Sequence, residues 1–297
     1  MASAPALGTA PSGKVLAPPI YHLAGTAELQ DGDHSHDVWS VRVVHADMPN
    51  YTLPMIVKAL PSAVTVAVEL ACGLAAKELR LNVPQPGLVV ADRDDLPGLA
   101  DSYVGKRLLL VGSHFQQRDA LFAAAVENSS AAEKMIWDSV CETPVGRQGA
   151  AWDELIANPD RHCENLLFDG TQWWLFDHDQ ALSPAAAFVS AQGEMQTRLD
   201  AITHSASVNC LAAELLQRYG GQHEAIAEQS RRLNSGTRRL QALANFARHW
   251  THPDAEVQTL LKLIAIVLEL IQLRLPALAE QLQRRIAPPS VARPNWP

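Results

Sequence analysis

Apolar residues recur at every second position, or in short unbroken runs, through the first third of the chain. Through the last third they recur at every third or fourth position. Val38-Trp39-Ser40-Val41-Arg42-Val43-Val44 is rich in β-branched residues and partly alternates apolar with polar, the pattern of a strand. Pro54 to Leu60 is a second run of this kind, and Asp31-Gly32 ahead of both is a two-residue turn signal. Tyr21 to Leu60 is therefore predicted to form a small antiparallel sheet. From Val64 to Leu81 the spacing becomes helical, with Val68, Ala71, Cys72, Ala75 and Leu79 on one face, and Asn82-Val83-Pro84-Gln85-Pro86-Gly87 stops it. Leu88–Ala91 and Leu108–Gly112 read as further strands, divided by the polar loop Asp92 to Gly98.

Beyond Ser113 the pattern is mostly helical, with one exception. Leu166-Leu167-Phe168 and Trp173–Phe176 are two apolar runs joined by Asp169-Gly170, which predicts a hairpin. Helical segments follow at Leu211–Tyr219, Glu224–Leu233, Arg238–His249 and Glu256–Ile286, the last kinked at Pro276. Residues 1–20 are small and Pro-rich, a predicted flexible leader, and 288–297 are a predicted tail. The organisation predicted is α+β. Residues 21–112 form a sheet lobe that includes the helix 64–81, and residues 113–287 form a helical lobe carrying the hairpin 158–182, with a cleft between them.

Composition narrows the class. The 297 residues are 47% hydrophobic and 19% charged, as in soluble globular proteins, and the formal charge of −8 argues against general affinity for nucleic acid or anionic membrane. The most apolar stretch, Leu260–Leu275, is interrupted by Lys262, Glu269 and Arg274, so it reads as a core helix and not a bilayer span. The leader lacks the basic-then-apolar order of a secretory signal. Cys72, Cys141, Cys163 and Cys210 are scattered, without the close pairs of a zinc site. A reduced, cytoplasmic protein is the expectation.

Candidate chemistry gathers at the ends of the two hairpin runs. Asp160, Arg161, His162 and Asn165 precede the first, and Asp177-His178-Asp179 close the second. Asp160 and Asn165 are five positions apart, and Asp177 follows twelve further on. Phosphoryl transfer needs hard oxygen ligands for magnesium, which a carboxylate and an amide oxygen supply, and a second carboxylate to orient the attacking hydroxyl. Asp160, Asn165 and Asp177 have the order and intervals of that set in protein kinases. Lys58, inside the apolar run Met55–Leu60, and Glu69, on the helix that follows, suit the lysine–glutamate pair that steadies nucleotide phosphates in such sites. Glu78 is a rival on the same helix, and Asp179 is read as a supporting or exposed residue.

The stretch NPDRHCENLLF resembles the catalytic loop of phosphoinositide kinases and of bacterial HipA-like kinases. The segment VELACGLAAKELRLNVPQPGLV is similar to the corresponding HipA-like helix, and FDHDQAL resembles the metal-binding loop in which Asp-His often replaces Asp-Phe-Gly. The resemblance covers Tyr21 to Leu182. It implies a two-lobed protein-kinase-like fold that uses ATP and Mg2+, with Asp160 catalytic and Asn165 and Asp177 as metal ligands. Lys58 would contact the phosphates, Glu69 would anchor that lysine, and His162 would support the loop. A protein Ser/Thr hydroxyl is the acceptor the family suggests, with a lipid or small-molecule hydroxyl as alternatives. An antitoxin or other regulatory partner is a further expectation of the family.

The chain departs from kinase pattern at the phosphate-covering loop. No G-x-G-x-x-G is present, and Gly25-Thr26 and Gly32 are the glycine positions available near the first hairpin. The turn Asp31-Gly32-Asp33-His34-Ser35-His36-Asp37 is acidic, so Gly25-Thr26 is the expected phosphate cover if that tip faces solvent. This keeps open a pseudokinase-type interaction module, and a metal-dependent hydrolase using His162, Asp160 and Asp177 stands as a third reading. The same turn reads as a metal site or, more plainly, as a solvated tip. Cys163 reads as a redox switch or a small filler, and Arg231-Arg232, Arg238-Arg239 and Arg284-Arg285 as an anion collector or solvated helix faces.

Overall fold

The alternation of the early strands is explained by a sheet that closes on itself. The computed structural model describes residues 18–30, 36–127, 129–182, 194–203, 209–218 and 223–286. Strands β1 (Ile20–Leu23), β2 (Glu28–Leu29), β3 (Val38–His45), β4 (Met48–Lys58), β5 (Pro86–Asp92) and β6 (Arg107–His114) lie in the order β1-β5-β6-β4-β3-β2. β1 also pairs antiparallel with β3, so β1, β5, β6, β4 and β3 complete a ring. β1 and β5 run parallel, and the other neighbours are antiparallel. Trp39, Val41 and Val43 of β3 point into this ring with Met55, Val57, Val89 and Leu110, all buried. Tyr21 joins them because Gly87 leaves room: a Cβ there would lie 2.4 Å from the Tyr21 ring. The predicted antiparallel pairing of residues 38–60 is present, with β4 longer than its apolar run.

The helix α1 (Ala63–Glu78) begins at a capping box, in which the Ser62 hydroxyl accepts from Thr65 N–H and the Thr65 hydroxyl accepts from Ser62 N–H. One buried face was predicted, yet ten of its residues, Val66–Val68 and Leu70–Ala76, are buried. The helix is covered on both sides. Leu88 and Val111 of the sheet share its core, and Gly73 lets it press on Pro86. On the other side lie helices from the end of the chain. The helical part comprises α2 (Ala120–Glu127), α3 (Ala132–Cys141), α4 (Pro144–Leu155), α5 (Met195–Thr203), α6 (Cys210–Arg218), α7 (His223–Asn234), α8 (Thr237–Ala247), α9 (Ala255–Arg274) and α10 (Leu278–Ile286). α8 and α9 pack on α1, and Arg239 Nε donates to the Glu78 carbonyl at 2.8 Å, satisfying a helix-end acceptor. One apolar core runs from α1 through Trp152 and Leu155 of α4 to Ile264, Leu268 and Ile271 of α9. The helix read as part of the sheet lobe is thus equally part of the helical core.

The hairpin is formed as predicted, β7 (Leu166–Phe168) pairing antiparallel with β8 (Trp173–Leu175) in the register Leu166↔Leu175. Asp169 shapes the turn, its Oδ1 accepting from Thr171 and Gln172 N–H, each at 2.8 Å. Pro276, expected to kink one helix over 256–286, instead divides it, with a short 3-10 turn, Leu275–Ala277, between α9 and α10. The fold class is mixed α+β. Among the described residues no helix is long and apolar enough to cross a membrane, and the four cysteines are free. The expected leader and tail and the Asp31-Gly32 turn fall largely outside the described residues.

Replacing Gly87 with Ala should lower stability by about 1–3 kcal/mol, the usual cost of overpacking, because the new methyl meets the buried Tyr21 ring. Urea unfolding of the variant checks this, and the cost of Gly87→Ala should shrink when it is measured in a Tyr21→Ala background.

Candidate active site

Two sets of ion pairs from different parts of the chain, one partly and one fully buried, organise the region around the hairpin. The first joins sheet to hairpin. Lys58, the last residue of β4, lies 119 residues before Asp177 and donates to Asp177 Oδ1, and its Nζ is 3.0 Å from Asp179 Oδ2. The lysine and Asp179 side chains are 14% and 6% exposed. His36, just before β3, brings Nε2 to 3.4 Å from the same Asp179 oxygen. A lysine in an apolar run is here paired with carboxylates.

Glu69 of α1 is directed at the next residue of the loop. Its Oε2 accepts the backbone N–H of His178, and its Oε1 is 3.7 Å from His178 Nδ1. Glu69 makes no direct ion pair with Lys58, although the two interact through space. The anchoring contact expected between them is thus replaced by Asp177 and Asp179. Burial alone would push Glu69 upward, but Lys58 and then His178 bring its pKa down to about 2. For Lys58, burial opposes the charge, yet Glu69, Asp177 and Asp179 outweigh it and raise its pKa. Asp179 is raised, first by burial and then by repulsion from Asp177 and Glu69, which Lys58 does not fully offset. Asp177 itself adopts a left-handed backbone, φ 61°, uncommon for a residue with a side chain and a form of strain that gathers at functional sites.

The second ion pair fixes the loop that precedes the hairpin. Arg161 and Asp153, the latter on α4, are both fully buried and paired in a fork, with Nε–Oδ2 3.1 Å and NH2–Oδ1 3.0 Å. The remaining Arg161 nitrogen donates to the carbonyls of Asn165 and Phe176, so one guanidinium ties the start of β7 and the end of β8 to α4. Asn158 Nδ2 reaches Asp153 Oδ1 at 3.3 Å, and Asn158 Oδ1 accepts Asp160 N–H at 3.1 Å. Asn165 Nδ2 donates to the Asp160 carbonyl at 2.7 Å, and Phe176 N–H donates to the Asn165 carbonyl at 3.3 Å. The segments bearing Asp160, Asn165 and Asp177 are therefore linked by successive hydrogen bonds. Asn165 is buried, whereas the Asp160 side chain is half exposed and open to an incoming group.

Two expectations need correction, and one is narrowed. His162, assigned to loop support, has a side chain 46% exposed, between Asp160 and Glu164, and Arg161 does the supporting. Asp179, expected to be supporting or exposed, takes the supporting role, buried on Lys58. Gly25 and Thr26 are exposed and lie beside Arg42 of β3, Ala24 N–H donating to the Arg42 carbonyl. The β3 residue opposite Lys58 is Val38, four positions away, or about 13 Å along the strand. The segment that comes to the Lys58 end of the sheet is instead the one before β3, with Ala59 N–H bonded to the Asp37 carbonyl at 3.0 Å. Most of the Asp31–Asp37 turn, and with it the reading as a metal site, lies outside the described residues.

Whether the donor set suits magnesium can be judged from its chemistry. Three carboxylates, Glu69, Asp177 and Asp179, act on one ammonium, so negative charge is in excess. The amide nitrogen of Asn165 is spent on Asp160, which leaves its Oδ1 as the free acceptor. Among the described residues no three His, Cys, Asp or Glu side chains form a ready metal cage. Magnesium asks for less, one or two carboxylates with waters and phosphate oxygens, and Asn165 with Asp177 fits that demand.

No family model matches the chain, and no curated protein matches it. Among solved structures, the crystal structure of a Helicobacter pylori proinflammatory kinase, CtkA, is loosely similar, with a TM-score of 0.49 and 12% identity over 88% of this chain and 96% of that chain.

Arg161→Ala should cost about 3–5 kcal/mol, because it leaves the Asp153 carboxylate buried and unpaired, and calorimetric or denaturant unfolding measures it. Glu69→Gln tests the electrostatics. A carboxyl held at about 2 in the fold, against an ordinary value of 4.5, contributes stability above pH 4.5 that is lost as pH falls toward 2. The wild type should therefore lose stability across that window, and the Gln variant should lose less there while being about 1.5–3 kcal/mol weaker at pH 7.

Proposed function

We propose that this chain is a HipA-like kinase that transfers the γ-phosphate of ATP to a hydroxyl, that of a protein Ser or Thr. The observation that carries the reading is the meeting of Lys58, from a strand, with Asp177, from the hairpin that follows an Asp-x-x-x-x-Asn loop. Kinase chemistry needs this convergence of a phosphate-binding ammonium with hard oxygen ligands. In this reading the ring of strands and the helical part are the two lobes, and the nucleotide lies between them.

The chain's own residues have simple tasks. Asp160, with its backbone fixed from both sides and its carboxylate open, orients the acceptor hydroxyl and takes its proton as the oxygen attacks phosphorus and the bond to the ADP oxygen breaks. Lys58 exchanges a carboxylate partner for phosphate oxygens. Glu69 holds the Asp177-His178 peptide through the His178 N–H. Magnesium, held by Asn165 and Asp177, would supply charge neutralisation at the phosphates.

A second reading, an interaction module without phosphotransfer, is favoured by two observations: Lys58 is engaged by two carboxylates, and Gly25-Thr26 lies away from it. Incubation with γ-labelled ATP and magnesium separates the two. The kinase reading expects label on the protein or on an added protein substrate, reduced at least about 100-fold in Asp160→Ala, the lower range for loss of a general base. The melting-temperature rise with MgATP should persist in that variant and disappear in Asp177→Ala. Equal labelling of wild type and Asp160→Ala removes Asp160 from its role, and no melting shift at millimolar nucleotide leaves the interaction module.

A further inference from the structure

If the kinase reading holds, an ATP triphosphate must be met by hydrogen-bond donors that the sequence does not offer in a glycine-rich loop. The donors at the Lys58 cluster are few. The His178 backbone N–H is used by Glu69, and its ring is 2% exposed. The Arg161 guanidinium is fully buried and occupied by Asp153 and two carbonyls. His36 differs from both. Its side chain is 19% exposed, and strand register delivers it to the cluster: Val38 pairs with Lys58, and the Asp37 carbonyl accepts from Ala59 N–H.

The position of its ring is informative. Asp179 Oδ2 lies 3.0 Å from Lys58 Nζ and 3.4 Å from His36 Nε2, so an anionic oxygen already sits between these two groups. A phosphate oxygen has the same charge sign and acceptor geometry as a carboxylate oxygen, and Lys58 is the residue assigned above to the phosphates. We propose that His36 is a phosphate-contacting residue of the nucleotide site, its Nε2–H donating to a phosphate oxygen beside Lys58 in place of glycine-loop backbone donors. An imidazole can donate from Nε2 whether protonated or as the Nε2–H tautomer. The assignment rests on the kinase reading and gives that site a side-chain phosphate clamp built from one strand end, Lys58, and the segment facing it, His36.

The test is a titration of the full chain, in magnesium, with ATP, ADP and adenosine, for wild type, His36→Ala and His36→Gln. The expected result is that His36→Ala weakens ATP about tenfold, in line with one lost hydrogen bond to a charged group, and leaves adenosine within about twofold. His36→Gln, which keeps an N–H at similar reach, should recover part of the ATP affinity. Equal weakening of ATP and adenosine, or none for ATP, overturns the role of His36 while the wild-type affinity for ATP sustains the kinase reading. Absence of ATP and ADP binding by folded wild type overturns both. Should His36→Ala fail to fold, the ratio of ATP to adenosine affinity in His36→Gln decides, a ratio unchanged from wild type counting against the proposal if His36→Asn also leaves it unchanged.

Discussion

The site depends on a single ammonium group surrounded by more negative charge than it can neutralise. Lys58 is bonded to Asp177 and Asp179 and influenced by Glu69, and all four groups are substantially withdrawn from water. Burying charge costs several kcal/mol per ion unless partners and hydrogen bonds compensate, and here the compensation is incomplete, as the raised pKa of Asp179 records. A few residues away, Arg161 and Asp153 form a fully buried pair with matched charge and a forked geometry. The contrast is chemical: the balanced pair fixes the backbone, and the unbalanced cluster sets three carboxylates around one ammonium.

What keeps the unbalanced cluster together is the packing of α1. Glu69 is carried on a helix buried nearly all round, pressed on the sheet through Gly73 and closed over by α8 and α9. Its many small residues, Ala67, Ala71, Ala75 and Ala76 among them, let neighbouring elements approach closely. The C-terminal helices, which carry none of the Lys58 cluster, brace the helix that positions Glu69, and Arg239 caps its end. The strain at Asp177 is held in the same way, with Glu69 gripping the peptide that follows it and Arg161 the carbonyl that precedes it.

Much of this was legible in the residues. Apolar runs with period two marked β3 and β4, a period near 3.6 marked α1 and the C-terminal helices, and Asp169-Gly170 marked the hairpin turn. The order Lys58, Glu69, Asp160, Asn165, Asp177 named most of the residues that converge. The misreadings share a cause. His162 and Arg161 are adjacent, and only the position of Asp153 on α4 decides which one turns inward. Asp179 and Asp177 differ by two positions, and only the lysine's reach makes both of them partners. Gly25-Thr26 fell short because strand register, not residue type, sets which turn arrives beside Lys58.

The sequence by itself determined the local conformations and the inventory of chemistry, because hydrophobic periodicity, caps and turn residues act over a few positions along the chain. Tertiary structure alone decided the closure of the sheet through β1 and β3, the enclosure of α1 by helices from the far end of the chain, and the exchange of partners that gives Lys58 to Asp177 and Asp179 and gives Glu69 to His178. The ion pairs and the Glu69–His178 contact span more than a hundred residues, and an interaction between such distant groups is set by where packed elements place them in three dimensions, which no local pattern encodes.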